Sequence, residues 1–262
     1  MEVSYGVCRL SVVSVRKEQS HQSLQVTQLL FGDHYMVTDN GGHGLWLRIT
    51  IYFDGTNGWI ERKQHHAISQ EYFDQINTTD FKITTDICST ILYKKSPIAI
   101  LLGSIVPISQ SELFKMDEQF AFNGESKSLG QKRDFEFLRT ISLKYLNVPE
   151  QEGGKTPFGV DGVGLVQVAF RIIGYSILRS PEKLVKLQKP VKSIDDMRPG
   201  DIAFFTSRKE GKVKTGLILE ENKVLHADGR VKIDHLLEDG VLDVETKIFT
   251  HKLKSIVRIL ND

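Results

Sequence analysis

Covalent or acid–base chemistry needs a reactive side chain held where its pKa is useful. The stretch Gly153–Gly174, GGKTPFGVDGVGLVQVAFRIIG, has the form of such a holder. A glycine-rich loop leads to Asp161, and a helix that is apolar almost all the way round follows. Asp161 suits an N-cap, because its short side-chain oxygen can accept from the exposed N–H groups of the first turn. The next position lies at the helix N-terminus, where the dipole lowers a thiol's pKa and a nucleophile is well placed. That position is Gly162, which has no side chain, and Val163 follows it.

Other reactive groups are few. Cys8 and Cys88 are the only cysteines, and they form no CxxC pair or Cys/His cluster. This excludes a zinc site and predicts two buried free thiols in a reducing compartment. Ser180 and Thr215 are hydroxyls without an adjacent histidine. His65, His66 and His251 read as surface or turn residues, and no cofactor-binding motif is present. The formal net charge of +1 gives no drive toward nucleic acid or an anionic membrane. The four lysines Lys183, Lys186, Lys189 and Lys192 lack interleaved aromatics and read as a solvated face. No run reaches the roughly 18 apolar residues of a membrane span, and the N-terminus lacks a signal-peptide pattern, so the expectation is a cytoplasmic protein.

The elements that would position these residues fall into three parts. The 262 residues suffice for two or three modules. Residues 1–68 read as a small β-barrel, with runs such as VCRLSVVSVR, LQVTQLLF, LWLRITIYF and GWIER separated by Asn-Gly and Asp-Gly turns. Residues 69–131 read as a second, divergent barrel built from FKITTD, ICSTILYK, SPIAILLGSIVPI and EQFAFNG. Residues 132–262 begin with an amphipathic helix over 132–147, continue through the helix after Asp161, and close with a run of strands. Helices followed by antiparallel strands predict an α+β fold.

Several matches in one order resemble a known family. The first segment is similar to bacterial SH3-like domains, through VTQLLFGD, Trp46 and Gly58-Trp59-Ile60. The last part resembles the NlpC/p60 family of papain-like cysteine peptidases. The matching residues are Gly153-Gly154, Thr156-Pro157-Phe158-Gly159, Asp161, Gly164-Leu165-Val166-Gln167, Pro199-Gly200-Asp201, Gly216 and His226-Ala227. The N-terminal barrel and Thr250-His251-Lys252-Leu253 point to the dipeptidyl-peptidase VI branch, which cuts γ-D-glutamyl–diamino acid bonds in recycled cell-wall (murein) peptides.

The resemblance implies a nucleophile at Gly162, a base at Lys214 and an orienting group at His226. Glycine has no atom that attacks a carbonyl. A lysine near pKa 10.4 is protonated at neutral pH and is a poor base. The expected reading is a pseudoenzyme with Gly162, Lys214 and His226 as vestigial positions. Asp161, Val163, Arg179, Ser180 and Glu152 are its pocket candidates, and its ligand is a murein peptide or an active paralogue. Glu150 and Glu152 would repel a carboxylate-bearing ligand. Two alternatives stand beside it: an active hydrolase with a nucleophile relocated to Cys8 or Cys88, and a scaffold that binds through its SH3-like parts.

Overall fold

The computed structural model describes residues 4–42, 44–78, 81–108, 120–220 and 222–260. Its first sheet contains β1 (Ser4–Val7), β2 (Val12–Arg16), β3 (Gln25–Leu30), β4 (His34–Asp39), β5 (Trp46–Ile51), β6 (Asn57–Glu61) and β7 (His66–Ile68). The strands run in the order β3-β2-β6-β5-β4-β1-β7. Alternation sends Val13, Val15, Leu47, Ile49, Ile51 and Ile60 into one core with Tyr35 and Cys8. The register sets Leu47 against Ile60 and Ile49 against Gly58. The run VCRLSVVSVR is two strands, not one. It breaks at Cys8, whose N–H and carbonyl pair with Asp33 and Gly32.

The middle segment opens with a helix that strand patterning did not predict, α1 (Gln70–Thr78). Its strands are β8 (Lys82–Thr84), β9 (Cys88–Tyr93), β10 (Ser96–Leu101), β11 (Ile105–Val106), β12 (Phe120–Asn123) and β13 (Ser126–Ser128). They form two three-stranded sheets, β10-β9-β12 and β11-β8-β13. The first two residues of the EQFAFNG run lie outside the described residues. The expectation of two buried thiols holds for Cys8 alone, because Cys88 is exposed at the start of β9.

The last part begins with α2 (Phe135–Leu143), capped by Asp134, whose carboxylate accepts from the Phe137 N–H. The helix is shorter than the expected 132–147. Residues 144–147 are turns, and Asn147 takes a left-handed φ of 66°. A short hairpin, β14 (Lys155–Thr156) and β15 (Gly159–Val160), leads into α3 (Gly162–Ile172), and α4 (Pro181–Leu187) follows. The final strands are β16 (Lys189–Val191), β17 (Ile202–Ser207), β18 (Val213–Glu220), β19 (Lys223–Asp228), β20 (Arg230–Leu237), β21 (Gly240–Leu242) and β22 (Phe249–Arg258). Their order is β16-β22-β17-β18-β19-β20-β21, and β21 also pairs with β22, so the strands from β17 to β22 close into a ring.

Alternation along these strands serves two cores. Phe204, Leu217, Leu219, Leu225 and Val257 pack against α2 and α3. Phe205, Ile218, Val224, Leu236 and Val241 face the other way and fill the ring.

Candidate functional site

Asp161 caps α3 as its sequence position predicts. Its Oδ1 accepts from the Gly164 N–H at 2.6 Å. Its Oδ2 accepts from the Gly153 N–H at 2.8 Å and from the Arg179 guanidinium. Arg179 also donates to the Val26 carbonyl at 2.7 Å and to Gln167 Oε1 at 3.1 Å. It therefore stands behind Asp161 as a tie and does not line the cleft, contrary to expectation. Ser180 is also outside the cleft. It caps α4, accepting from the Lys183 N–H and donating to Glu182. The short Ser-Pro-Glu sequence is an N-terminal helix signature, and that local demand determines where Ser180 points.

Gly162 begins α3, and its missing side chain has a steric reason. A Cβ there would lie 2.2 Å from the Thr215 carbonyl oxygen and 3.2 Å from its carbon. These are backbone atoms of β18, held in register with β17 by the Phe204–Thr215 and Phe205–Lys214 pairs. Any residue but glycine would have to push the helix and the strand apart. Thr215 is 2% exposed, and its hydroxyl lacks a partner among the described residues.

Beside this contact is a cleft of about 270 Å³ lined by Glu150, Glu152, Asp161, Val163, Glu210, Lys212 and Lys214, among others. Val163 and Glu152 both line it. Lys214, on β18, is largely buried. It donates to Glu150, whose other oxygen accepts from the Gly229 N–H at 2.9 Å. Lys212 makes a more exposed pair with Glu152 at 3.3 Å. The acidic approach to the cleft is thus partly neutralised from within. The four carboxylates face Lys212, Lys214 and, behind Asp161, Arg179, and the remaining balance of −1 favours a cation.

His226 is fully buried and sits across from Gly216 on β18. Its Nε2 lies 2.9 Å from Asp234 Oδ2, so it pairs with Asp234 rather than with Lys214. Burial works to raise the Asp234 pKa. The hydrogen bonds from His226 and Val244 and the charge of Lys232 override it and hold the carboxyl below its ordinary range. The His226 ring packs edge-on against Phe205 and His251.

His251 is not the surface or turn residue expected. It lies on β22, 1% exposed, facing the ring interior with Phe205. Burial, with the adjacent His226, pushes its imidazole down to about 4. His65 is half-buried beside the Tyr35 hydroxyl, and burial also lowers its pKa, with help from His66 and Arg62. Cys8 is 1% exposed, and burial pushes its thiol up to about 12, the wrong direction for a thiolate.

Sequence reasoning missed the seam between the first barrel and α3. Arg171 pairs with Asp33 at 2.5 Å, both almost wholly buried. Lys155 lies 3.7 Å from Asp54, which also accepts from Gln167 at 2.8 Å. Burial lowers the Lys155 pKa. It acts to raise that of Asp54, but Lys155 and the hydrogen bonds from Thr56 and Gln167 hold the carboxyl low. Gln28 accepts from the Lys155 backbone N–H at 2.8 Å. A Cβ on Gly153, at φ 75°, would lie 2.4 Å from the Gln25 carbonyl, so the glycine loop is shaped by the barrel as well as by the helix. These partners are more than a hundred residues apart, and no local spacing announces them. Among the described residues no group of three His, Cys, Asp or Glu is arranged to hold a metal, and no helix is long and apolar enough to cross a membrane.

A barrel of this topology, bolted to a helix whose N-terminus faces a strand ring, defines the class. Residues 149–255 match the NlpC/P60 family, and residues 15–64 match the bacterial dipeptidyl-peptidase Sh3 domain. The chain thus carries an NlpC/P60 domain behind an SH3-like domain of that type. Its curated relatives include dipeptidyl-peptidase 6 of Lysinibacillus sphaericus, 27% identical over 179 residues, which are 65% of this chain and 66% of the relative. Another is the gamma-D-glutamyl-L-lysine dipeptidyl-peptidase of Bacillus subtilis (strain 168), 26% identical over 221 residues, 77% of this chain and 71% of the relative. A crystal structure of an NlpC/P60 family protein from Bacillus cereus ATCC 10987 superposes with a TM-score of 0.79 at 16% identity, covering 97% of this chain and 99% of the other. An NlpC/P60 endopeptidase from Photobacterium damselae subsp. piscicida gives a TM-score of 0.73 at 13% identity, covering 96% and 70%. At these identities the two structures establish the fold.

Proposed function

We propose that this chain is a catalytically inactive NlpC/P60 protein whose cleft binds a murein-type peptide without cutting it. The observation that carries this reading is at Gly162. The position corresponding to the family's nucleophile has no side chain, and the Thr215 carbonyl fills the space a Cβ would need. Lys214 and His226 support it. The first is held by Glu150 and the second by Asp234, so the groups at both positions are already engaged by carboxylates. The pairs of Glu150 with Lys214 and Glu152 with Lys212 lessen the repulsion of the ligand's carboxylates, and the remaining negative charge suits its ammonium groups.

A relocated nucleophile finds little support. Cys8 is buried with a raised pKa, and Cys88 lies in the middle segment on β9. We also propose the division into parts 1–68, 69–131 and 132–262, since the sheets described above each close within one of them.

The test is calorimetry and chromatography with L-Ala-γ-D-Glu-L-Lys. The expected result is saturable binding with no dipeptide released. Turnover that disappears on changing a cleft residue would overturn the proposal. Absence of both binding and turnover would favour the scaffold reading.

A further inference from the structure

The inner end of the cleft holds donors that no group of the protein uses. Gly162 and Val163 open α3, and neither of their N–H groups finds an acceptor among the described residues. The next two are taken. The Gly164 N–H goes to Asp161 Oδ1 at 2.6 Å, and the Leu165 N–H to the Asp161 carbonyl at 2.9 Å. First-turn N–H groups point out of the helix end, and with the dipole they favour negative charge there. Gly162 and Val163 both line the cleft.

Thr215 adds an independent observation. It lies on β18 between Val213 and Leu217, whose side chains join the core packed on α2 and α3. Alternation therefore sends the Thr215 side chain to the α3 face of the strand. The residue is 2% exposed and lines the cleft, yet its hydroxyl has no hydrogen-bond partner among the described residues. A buried hydroxyl without a partner is unfavourable, and a valine of the same shape would fill the place without that penalty. Gly162 packs directly on this residue, since a Cβ there would lie 2.2 Å from the Thr215 oxygen and 3.3 Å from its nitrogen. The unused hydroxyl and the unused N–H groups thus border one space. The nearby carboxylates do not compete for them. Asp161 accepts from Gly164 on one oxygen and from Gly153 and Arg179 on the other, and Glu150 is taken up by Lys214 and the Gly229 N–H.

We propose that the Thr215 hydroxyl and the N–H groups of Gly162 and Val163 hold a carboxylate of the bound peptide. This rests on the peptide-binding reading of the cleft and names the ligand group that reaches its inner end. The dipole of α3 favours an anion over a neutral carbonyl at these donors. Glu210, exposed at the rim, is left for the ligand's ammonium group.

The test combines amide NMR spectra of the full chain with calorimetry. Acetate, titrated at constant ionic strength, is expected to move the Gly162 and Val163 signals saturably, and acetamide to leave them in place. Thr215→Val should weaken L-Ala-γ-D-Glu-L-Lys by about fivefold or more, and Thr215→Ser should stay within about twofold of the unaltered chain. Thr215→Val should also raise the melting temperature of the unliganded protein. If the peptide binds but Thr215→Val binds it equally well, this proposal falls and the peptide-binding reading stands. If the peptide does not bind while acetate moves the two signals and needs the hydroxyl, that reading falls and the carboxylate site stands. The proposal is overturned if acetate leaves both signals in place, or if acetamide moves them as strongly.

Discussion

Helix α3 presents two contrasting surfaces. Its N-terminal end faces the cleft, where Gly162 begins the helix and the ion pairs are partly or fully wet. Its flank faces the first barrel, where Arg171 and Gln167 enter a dry polar seam with Asp33, Asp54 and Lys155. The side chains of Lys212 and Glu152 are 58% and 67% exposed, whereas those of Arg171 and Asp33 are 5% and 1%. Ion pairs in water contribute little, but separating a buried pair leaves a charge without solvent or partner. Buried polar contacts are therefore concentrated where they tie the first sheet to α3, and the ion pairs at the cleft are the wetter ones.

The comparison can be broken most directly at the seam. Arg171→Ala leaves Asp33 buried and unpaired, and chemical denaturation should show a loss of about 3–5 kcal/mol. A double-mutant cycle with Asp33→Ala should recover much of that loss. Equal and additive losses would mean that the pair does not join the barrel to α3.

The next effect in size is a pH dependence from the strand ring. In the unfolded chain His251 takes a proton near 6.5, while in the fold it does so only at about 4. The unfolded state therefore binds more protons between these values, and stability falls as pH is lowered from 6.5 to 4. This single group accounts for about 3 kcal/mol of that fall. The lowered pKa of His65 adds to it with the same sign. Denaturation curves of His251→Phe should show a much flatter slope across this window. An unchanged slope would remove His251 as its source.

At the cleft, Gly162→Cys forces a side chain against the Thr215 carbonyl. The expected cost is about 1–3 kcal/mol, read from the denaturation midpoint. Adding Lys214→His should not produce dipeptide release from L-Ala-γ-D-Glu-L-Lys. Restored turnover would show that the cleft differs from its relatives only in side chains. The smallest effect belongs to Lys214→Ala. Its pair with Glu150 is partly wet, and the loss should stay within about 1 kcal/mol. A loss as large as that of Arg171→Ala would erase the distinction between the two surfaces.

Much of this arrangement is legible in the chain itself. Asp161 before a continuous apolar run marks the start of α3, because the first-turn N–H groups need an acceptor. Alternation places the strands of the first barrel and of the final ring, since one face of each must be buried. That position 162 is a glycine is also a fact of sequence. Other features are set by partners distant in the chain. Arg179 and Ser180 look like cleft residues by position, but one ties Asp161 to the barrel and the other caps α4. His251 looks like a turn residue because its Thr-His-Lys context is polar, but its face of β22 turns into the ring.

What the sequence determined by itself is the class of fold, the order of its parts and a glycine at position 162. These follow from local periodicity, capping and residue type. What only the tertiary structure decided is that position 162 has no room for a side chain, that Lys214 belongs to Glu150 and His226 to Asp234, and that Asp33, Asp54, Lys155, Gln167 and Arg171 form one seam. Each depends on atoms brought together by strand closure and domain packing, where burial sets which charges must pair.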